Sequence, residues 1–258
     1  MNIGICKFCG NEKELIRAHI IPESLYPADE NGNRMQFVLD GRGERPKSKL
    51  QNGEFDTDLV CRECEDLFNT GDNYAKQLLV DRRSEVRAKK TEQGATYFEY
   101  TDVNYKSLKL FFISLLWRAH ASSRRNFDQV DIGAKHEADI RRMIREGDPG
   151  LPDDFAVVML RAKSGPLDKM GAAPTPRRMP DSIRVYEFLL FGYIAYVKVD
   201  QRPYGYQFIN GQLTSGMPLL MLEIPIEETP FFRFAKDAYS MAVATQDQLR
   251  SSNSRRAQ

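Results

Sequence analysis

The longest run of patterned apolar positions lies at residues 104–123, "NYKSLKLFFISLLWRAHASS". Leu108, Phe111, Phe112, Leu115, Leu116 and Ala119 recur at i, i+3, i+4, i+7 and i+8, which predicts an amphipathic helix with that stripe in the core. A second helix is expected over 134–146, "AKHEADIRRMIRE", stopped by Gly147 and the following "DPGLP". From Cys61 onward, Leu67, Phe68, Tyr74, Ala75, Leu78 and Leu79 keep roughly helical spacing, with an interruption expected at Gly71.

Beyond residue 150 the character changes. "DFAVVMLRA", "SIRVYEFLLFGYIAYVKVD", "YGYQFIN" and "PLLMLEIPI" are rich in β-branched and aromatic residues and separated by Gly, Pro and Asn, which predicts strands of a mostly antiparallel sheet. Residues 97–103 read as a strand or connector. The stretch "KSGPLDKMGAAPTPRRMPDS" reads as a long loop, and the polar end, "TQDQLRSSNSRRAQ", as a frayed tail. The expected organisation is α+β: residues 1–92 as one unit, a 93–245 domain of helices and sheet, and a disordered tail over 246–258.

The 258 residues are 28% charged and 41% hydrophobic, with a net charge of only +1, so no global basic field marks the chain as a polybasic nucleic-acid binder. The longest apolar stretch, residues 108–117, is too short to span a bilayer, and the N-terminus lacks a basic region followed by an apolar run. A cytoplasmic location and no membrane partner are expected.

All four cysteines fall in two CxxC pairs, Cys6 and Cys9 in "CKFC" and Cys61 and Cys64 in "CREC". Two such units let four thiolates converge on one tetrahedral ion, the chemistry of a closed structural Zn(II) site. The Gly-, Pro- and Asn-rich segment between the pairs is expected to loop out from that staple. His19, in "RAHIIPESL" eight residues after the first knuckle, is by itself a residue that packs in a core more often than it catalyses.

The order of these pieces changes the reading of His19. A CxxC knuckle, then Ala18, His19, Ile20, Ile21 and Pro22, then a variable insert, then "DTDLVCRECEDLF", resembles a branch of the HNH endonuclease superfamily over residues 5–80. The resemblance implies a zinc-stapled ββα-metal fold, with His19 on the first strand activating water for phosphodiester hydrolysis. Asp56 and Glu65 stand where that branch has its asparagine and last histidine, and Ala18 stands where the superfamily often has a metal ligand. Asp56 is then expected to orient the imidazole or reach the metal, and Glu65 to anchor it.

Glu65, Asn69 and Asp72, at i, i+4 and i+7 of one helix, are expected to present oxygen atoms to one Mg(II) or Mn(II) ion. Arg17, Arg42, Arg45, Lys47 and Lys49 are candidates for the nucleic-acid backbone, with Arg82, Arg83, Arg87, Lys89 and Lys90 behind them. His120, His136 and Trp117 are assigned to structure. The expected partner is nucleic acid, DNA first, with a protein partner open to the second domain. The rival expectation is a zinc-stapled module that has lost catalysis and only recognises nucleic acid or a protein.

Overall fold

Helix 105–121 is the axis on which the molecule is built. The computed structural model describes residues 2–26, 37–39, 54–204, 211–225 and 227. In chain order the strands and helices are β1 (Asn2–Ile5), β2 (Glu12–Leu15), β3 (Ala18–His19), β4 (Phe37–Leu39), β5 (Phe55–Asp56), α1 (Arg62–Lys76), β6 (Ala88–Lys90), β7 (Thr96–Tyr100), α2 (Tyr105–Ala121), α3 (Gly133–Glu146), β8 (Val157–Ala162), β9 (Met170–Arg178), β10 (Arg184–Leu190), β11 (Tyr193–Lys198) and β12 (Leu219–Ile224). The chain is α+β.

Asn104 caps α2, its side-chain oxygen accepting from the Ser107 N–H at 3.0 Å, which satisfies one of the orphan donors of the first turn. The expected stripe is only part of what α2 buries. Ile113, Trp117 and even Lys109 and Arg118 are fully enclosed along with Phe111 and Phe112, because α1 and α3 cover one side and the large sheet the other. Helix α3 ends as predicted, with Gly147 in the left-handed region at φ 61° and its N–H returned to the last turn.

The large sheet runs β4-β9-β10-β11-β8-β12-β7-β6; its pairs are antiparallel except β8–β12 and β4–β9. Strand β9 corrects the long loop expected there. Pro174 and Pro176 obscure it in sequence, since proline cannot donate to a ladder. Both lie beyond Ala172, the last described residue that β4 pairs with; Pro176 stands opposite Tyr186 of β10, and Pro174 falls where the β9–β10 ladder shifts register. All but Tyr204 of the strand predicted at 204–210, and the whole tail, lie outside the described residues.

One apolar cluster runs from Cys6 and Phe8 through α1 and α2 to Leu219 and Met221, so the boundary expected near residue 92 falls inside a shared core. Phe8 of the first knuckle meets Trp117 edge-on at 4.9 Å between centroids and Phe68 at 5.6 Å. No helix among the described residues is long and apolar enough to cross a membrane.

Helix α1 passes through Gly71 unbroken and ends in a π-helical turn, Gln77–Asp81. Gly71 is not a breaker but the contact point: a Cβ there would sit 3.0 Å from the Phe111 nitrogen and 3.2 Å from the Ser107 carbonyl oxygen of α2. Backbone cannot move aside as a flexible side chain can. Gly71→Val is therefore expected to destabilise the fold by about 1–3 kcal/mol, read as a lower urea midpoint with an unchanged slope; an unchanged midpoint would mean that the helices are not this close.

Candidate functional site

The N-terminal unit is assembled from two hairpin-like pairings and a helix. Strands β1 and β2 pair around the first knuckle, where the Gly10 N–H returns to the Cys6 carbonyl at 2.8 Å and Gly10 takes φ 77°, a conformation that favours glycine. Leu15 bridges to Cys61, and Cys61 in extended conformation precedes α1, which carries Cys64 on its buried face. The four Sγ atoms all lie within 4.8 Å of one another. Tetrahedral thiolate ligation at about 2.3 Å needs sulfurs about 3.8 Å apart, so the group fits a structural metal ion.

The local electrostatics favour thiolate at Cys6 and oppose it at Cys61, whose thiol burial pushes up, and at Cys64. Burial acts to raise the Cys6 thiol, but the N–H groups of Cys9, Cys61 and Phe8 around it outweigh burial and bring it down to about 7. Cys64 is pushed up, by burial first and then by the neighbouring thiols. The knuckle is also anchored from outside, the Lys7 Nζ donating to the Ala121 carbonyl at 2.7 Å and Arg141 donating to the Lys7 carbonyl at 3.2 Å.

His19 sits at the end of β3, which pairs antiparallel with β5 in the register Ala18↔Asp56 and His19↔Phe55. Side chains alternate across strands, so His19, Phe55 and Arg17 share one face and Ala18 and Asp56 the other. On the outer face the Arg17 guanidinium lies 3.6 Å from the Phe55 ring centroid and that of Arg124 lies 5.4 Å from it, while Arg124 also donates to the Phe55 carbonyl at 2.8 Å. The imidazole is 24% exposed, and its Nε2 is 3.9 Å from the carboxylate of Glu23. Phe55, Arg124 and Glu23 were not singled out from the sequence, because only the β3–β5 register and a short 3₁₀ turn bring them beside His19.

The same parity turns Asp56 away from His19. Its carboxylate is buried and accepts from the Asp58 and Ser123 N–H groups and the Ser122 and Ser123 hydroxyls at 2.8–3.0 Å, tying β5 to the end of α2. Burial would raise its pKa; these donors reverse that and hold it below the ordinary carboxylate range.

Of the three oxygen ligands expected on α1, Glu65 and Asp72 both lie toward Arg118 of α2, and Asn69 does not join them. Asn69 is exposed and donates to Asp66. Glu65 is half-buried and its Oε2 has no hydrogen-bond partner; burial pushes its carboxyl upward, toward the neutral form. Asp72 is held by Arg118 of α2 in a bidentate pair at 2.8 and 2.9 Å, and the same guanidinium donates to the His19 carbonyl at 3.2 Å. Helix α1 is rotated so that Glu65, Phe68 and Asp72 face α2, and a guanidinium occupies the place expected of a divalent ion. Among the described residues the cysteines are the one group with metal-ligand spacing.

Of the basic candidates, Arg17 is on the His19 face, while Arg42, Arg45, Lys47 and Lys49 lie outside the described residues. Arg82, Arg83 and Lys89 are engaged by Glu85, Asp168 and Glu99. His120 and His136 contact the carbonyls of Val130 and Ile132, as structural residues do. No family model, curated protein or solved structure matches the chain.

Removing one thiolate should release the metal and loosen the fold with it. Elemental analysis is expected to find one metal ion per chain in the wild type and none in Cys64→Ser, which should also melt earlier; a metal-free wild type would contradict the staple. Asp56 gives a pH signature. Its folded pKa is depressed, so its stabilisation is present above the unfolded value and is lost as pH falls through the lower folded one. Asp56→Asn should cost about 2–4 kcal/mol at neutral pH and flatten the loss of stability below about pH 4, seen in urea melts across pH.

Proposed function

We propose that the N-terminal unit is a zinc-stapled ββα module of the HNH kind that takes the phosphodiester backbone of nucleic acid, DNA first, on the face of His19, and hydrolyses it. The observation that carries this reading is the face itself: a partly exposed imidazole flanked by Arg17 and Arg124, which grip Phe55 from their two positions. The strand, strand, helix order of β3, β5 and α1 and the cysteine group beside it agree with the resemblance drawn from the sequence. Zn(II) is the ion that four thiolates select best among abundant divalent metals.

The chemistry follows from what the face offers. Arg17 and Arg124 supply donors and positive charge for non-bridging phosphate oxygens. His19 takes the proton of the attacking water, for which an imidazole is suited near neutral pH. Glu23, rather than Glu65 or Asp72, is the carboxylate beside His19 that would hold a Mg(II) or Mn(II) ion together with phosphate oxygens and water, leaving the imidazole free to act as the base. That ion would supply charge stabilisation at the leaving oxygen.

A second reading has its own support. Asp56, at the family's asparagine position, is spent on Ser122 and Ser123, and Asp72, expected on the helix as a further ligand, is spent on Arg118, so both carboxylates serve the fold; a module of this kind binds nucleic acid or a protein without cutting. Protein contacts through residues 93–245 belong to the same reading.

His19→Ala separates the two. Cleavage of plasmid and single-stranded DNA in Mg(II) or Mn(II) should fall by 10²-fold or more, on the order expected for a lost general base, while metal content and melting temperature stay near wild type. A wild type that binds DNA but cuts no nucleic acid selects the second reading; one that neither binds nor cuts nucleic acid removes the first and leaves the second only its protein partner.

A further inference from the structure

A cleft of about 200 Å³ opens between the end of the N-terminal unit and the large sheet. Leu25, Leu79 and Val80 form one wall, Phe191 and Tyr193 the other, and Arg83 with Asp168 its polar edge. An apolar cavity of about 150 Å³ accepts a benzene ring, so this space suits one ring with small substituents.

Both walls are built from uncommon backbone. Leu79 and Val80 belong to the π-helical turn that follows α1, a feature that recurs at functional sites. Phe191 is a bulky residue at φ 49° in the turn between β10 and β11. That turn is locked from within the cleft: Arg83 donates to the Phe191 carbonyl at 2.6 Å and to Asp168, and its guanidinium lies 5.0 Å from the Tyr193 ring centroid. Gly192 leaves room for this pair, because a Cβ there would fall 2.6 Å from both terminal nitrogens of Arg83.

The polar edge limits the occupant. Asp168 neutralises Arg83, so a bare anion finds no net charge. The pair still has acceptor lone pairs on the carboxylate and further N–H groups on the guanidinium beside an apolar slot. A neutral planar ring whose edge both donates and accepts hydrogen bonds is the complementary shape. We propose that this cleft binds a single unpaired nucleobase, its edge read by Asp168 and Arg83. The choice of nucleobase among such rings rests on the nucleic-acid reading above. The short turn Glu23–Leu25 links the two places, with Glu23 beside His19 and Leu25 in the cleft wall.

The test is a titration of the full chain with the four ribonucleosides, with phenol and inorganic phosphate as controls, followed by NMR shifts or calorimetry. At least one nucleoside should bind saturably and more tightly than phenol, and phosphate should not bind at the cleft. Val80, 38% exposed at the rim, can be enlarged without disturbing the core. Val80→Trp should weaken nucleoside binding at least tenfold at unchanged melting temperature, and Asp168→Asn should weaken it too. No saturable nucleoside binding, phenol binding as tightly, or undiminished binding to Val80→Trp would overturn the proposal. Oligonucleotide binding measured alongside keeps the two readings apart. A chain that binds oligonucleotides but no nucleoside loses only the cleft. One that binds a nucleoside at the cleft but no oligonucleotide loses only the His19 face.

Discussion

The buried pair of Arg118 and Asp72 is the constraint on which the rest depends. An ion pair with one partner fully enclosed gains little net stability from its own attraction, yet leaving either charge alone costs about 3–5 kcal/mol. The sequence must therefore keep α1 and α2 at one rotation and one distance, and Gly71 lets their backbones come close enough to do so. Because Arg118 also donates to the His19 carbonyl, the same pair positions the strand that carries the imidazole. Its guanidinium is further enclosed by the Phe68 ring, 5.0 Å away.

Two other ties complete that placement. The cysteine group fixes the first knuckle against the start of α1, and Phe8 carries the knuckle into the core beside Trp117. Asp56 fixes β5 to the end of α2. With β3 pinned on three sides, the short hairpin of two-residue strands needs little ladder of its own, and its outer face can carry exposed Arg17 and Arg124 and the partly exposed imidazole. A small, rigidly supported surface of this kind is what positioning a phosphate requires.

Parts of this were legible in sequence. The two CxxC pairs named the metal group, the apolar period named α2, and Gly147 marked the end of α3. What failed was phase and parity. Glu65, Asn69 and Asp72 lie on one face of a helix in isolation, but which face meets α2 is decided by packing of Phe68 and Gly71, which spacing alone does not reveal. Asp56 and His19 look like partners along the chain; a register of Ala18 opposite Asp56 puts them on opposite faces. Gly71 read as a breaker because an open helix interior disfavours glycine, whereas a close helix crossing demands it. Strand β9 was hidden by two prolines, both beyond the residues β4 pairs with and one of them at a register shift in the ladder with β10.

The proposed function requires that the face around His19 meet nucleic acid. The chain has three histidines, so their imidazole resonances can be followed one by one in a nitrogen-correlated NMR spectrum. On titration with a short DNA oligonucleotide, the His19 resonances should shift saturably, while those of His120 and His136, held on carbonyls elsewhere, stay in place. Saturable binding that moves His120 or His136 and leaves His19 unchanged would contradict it.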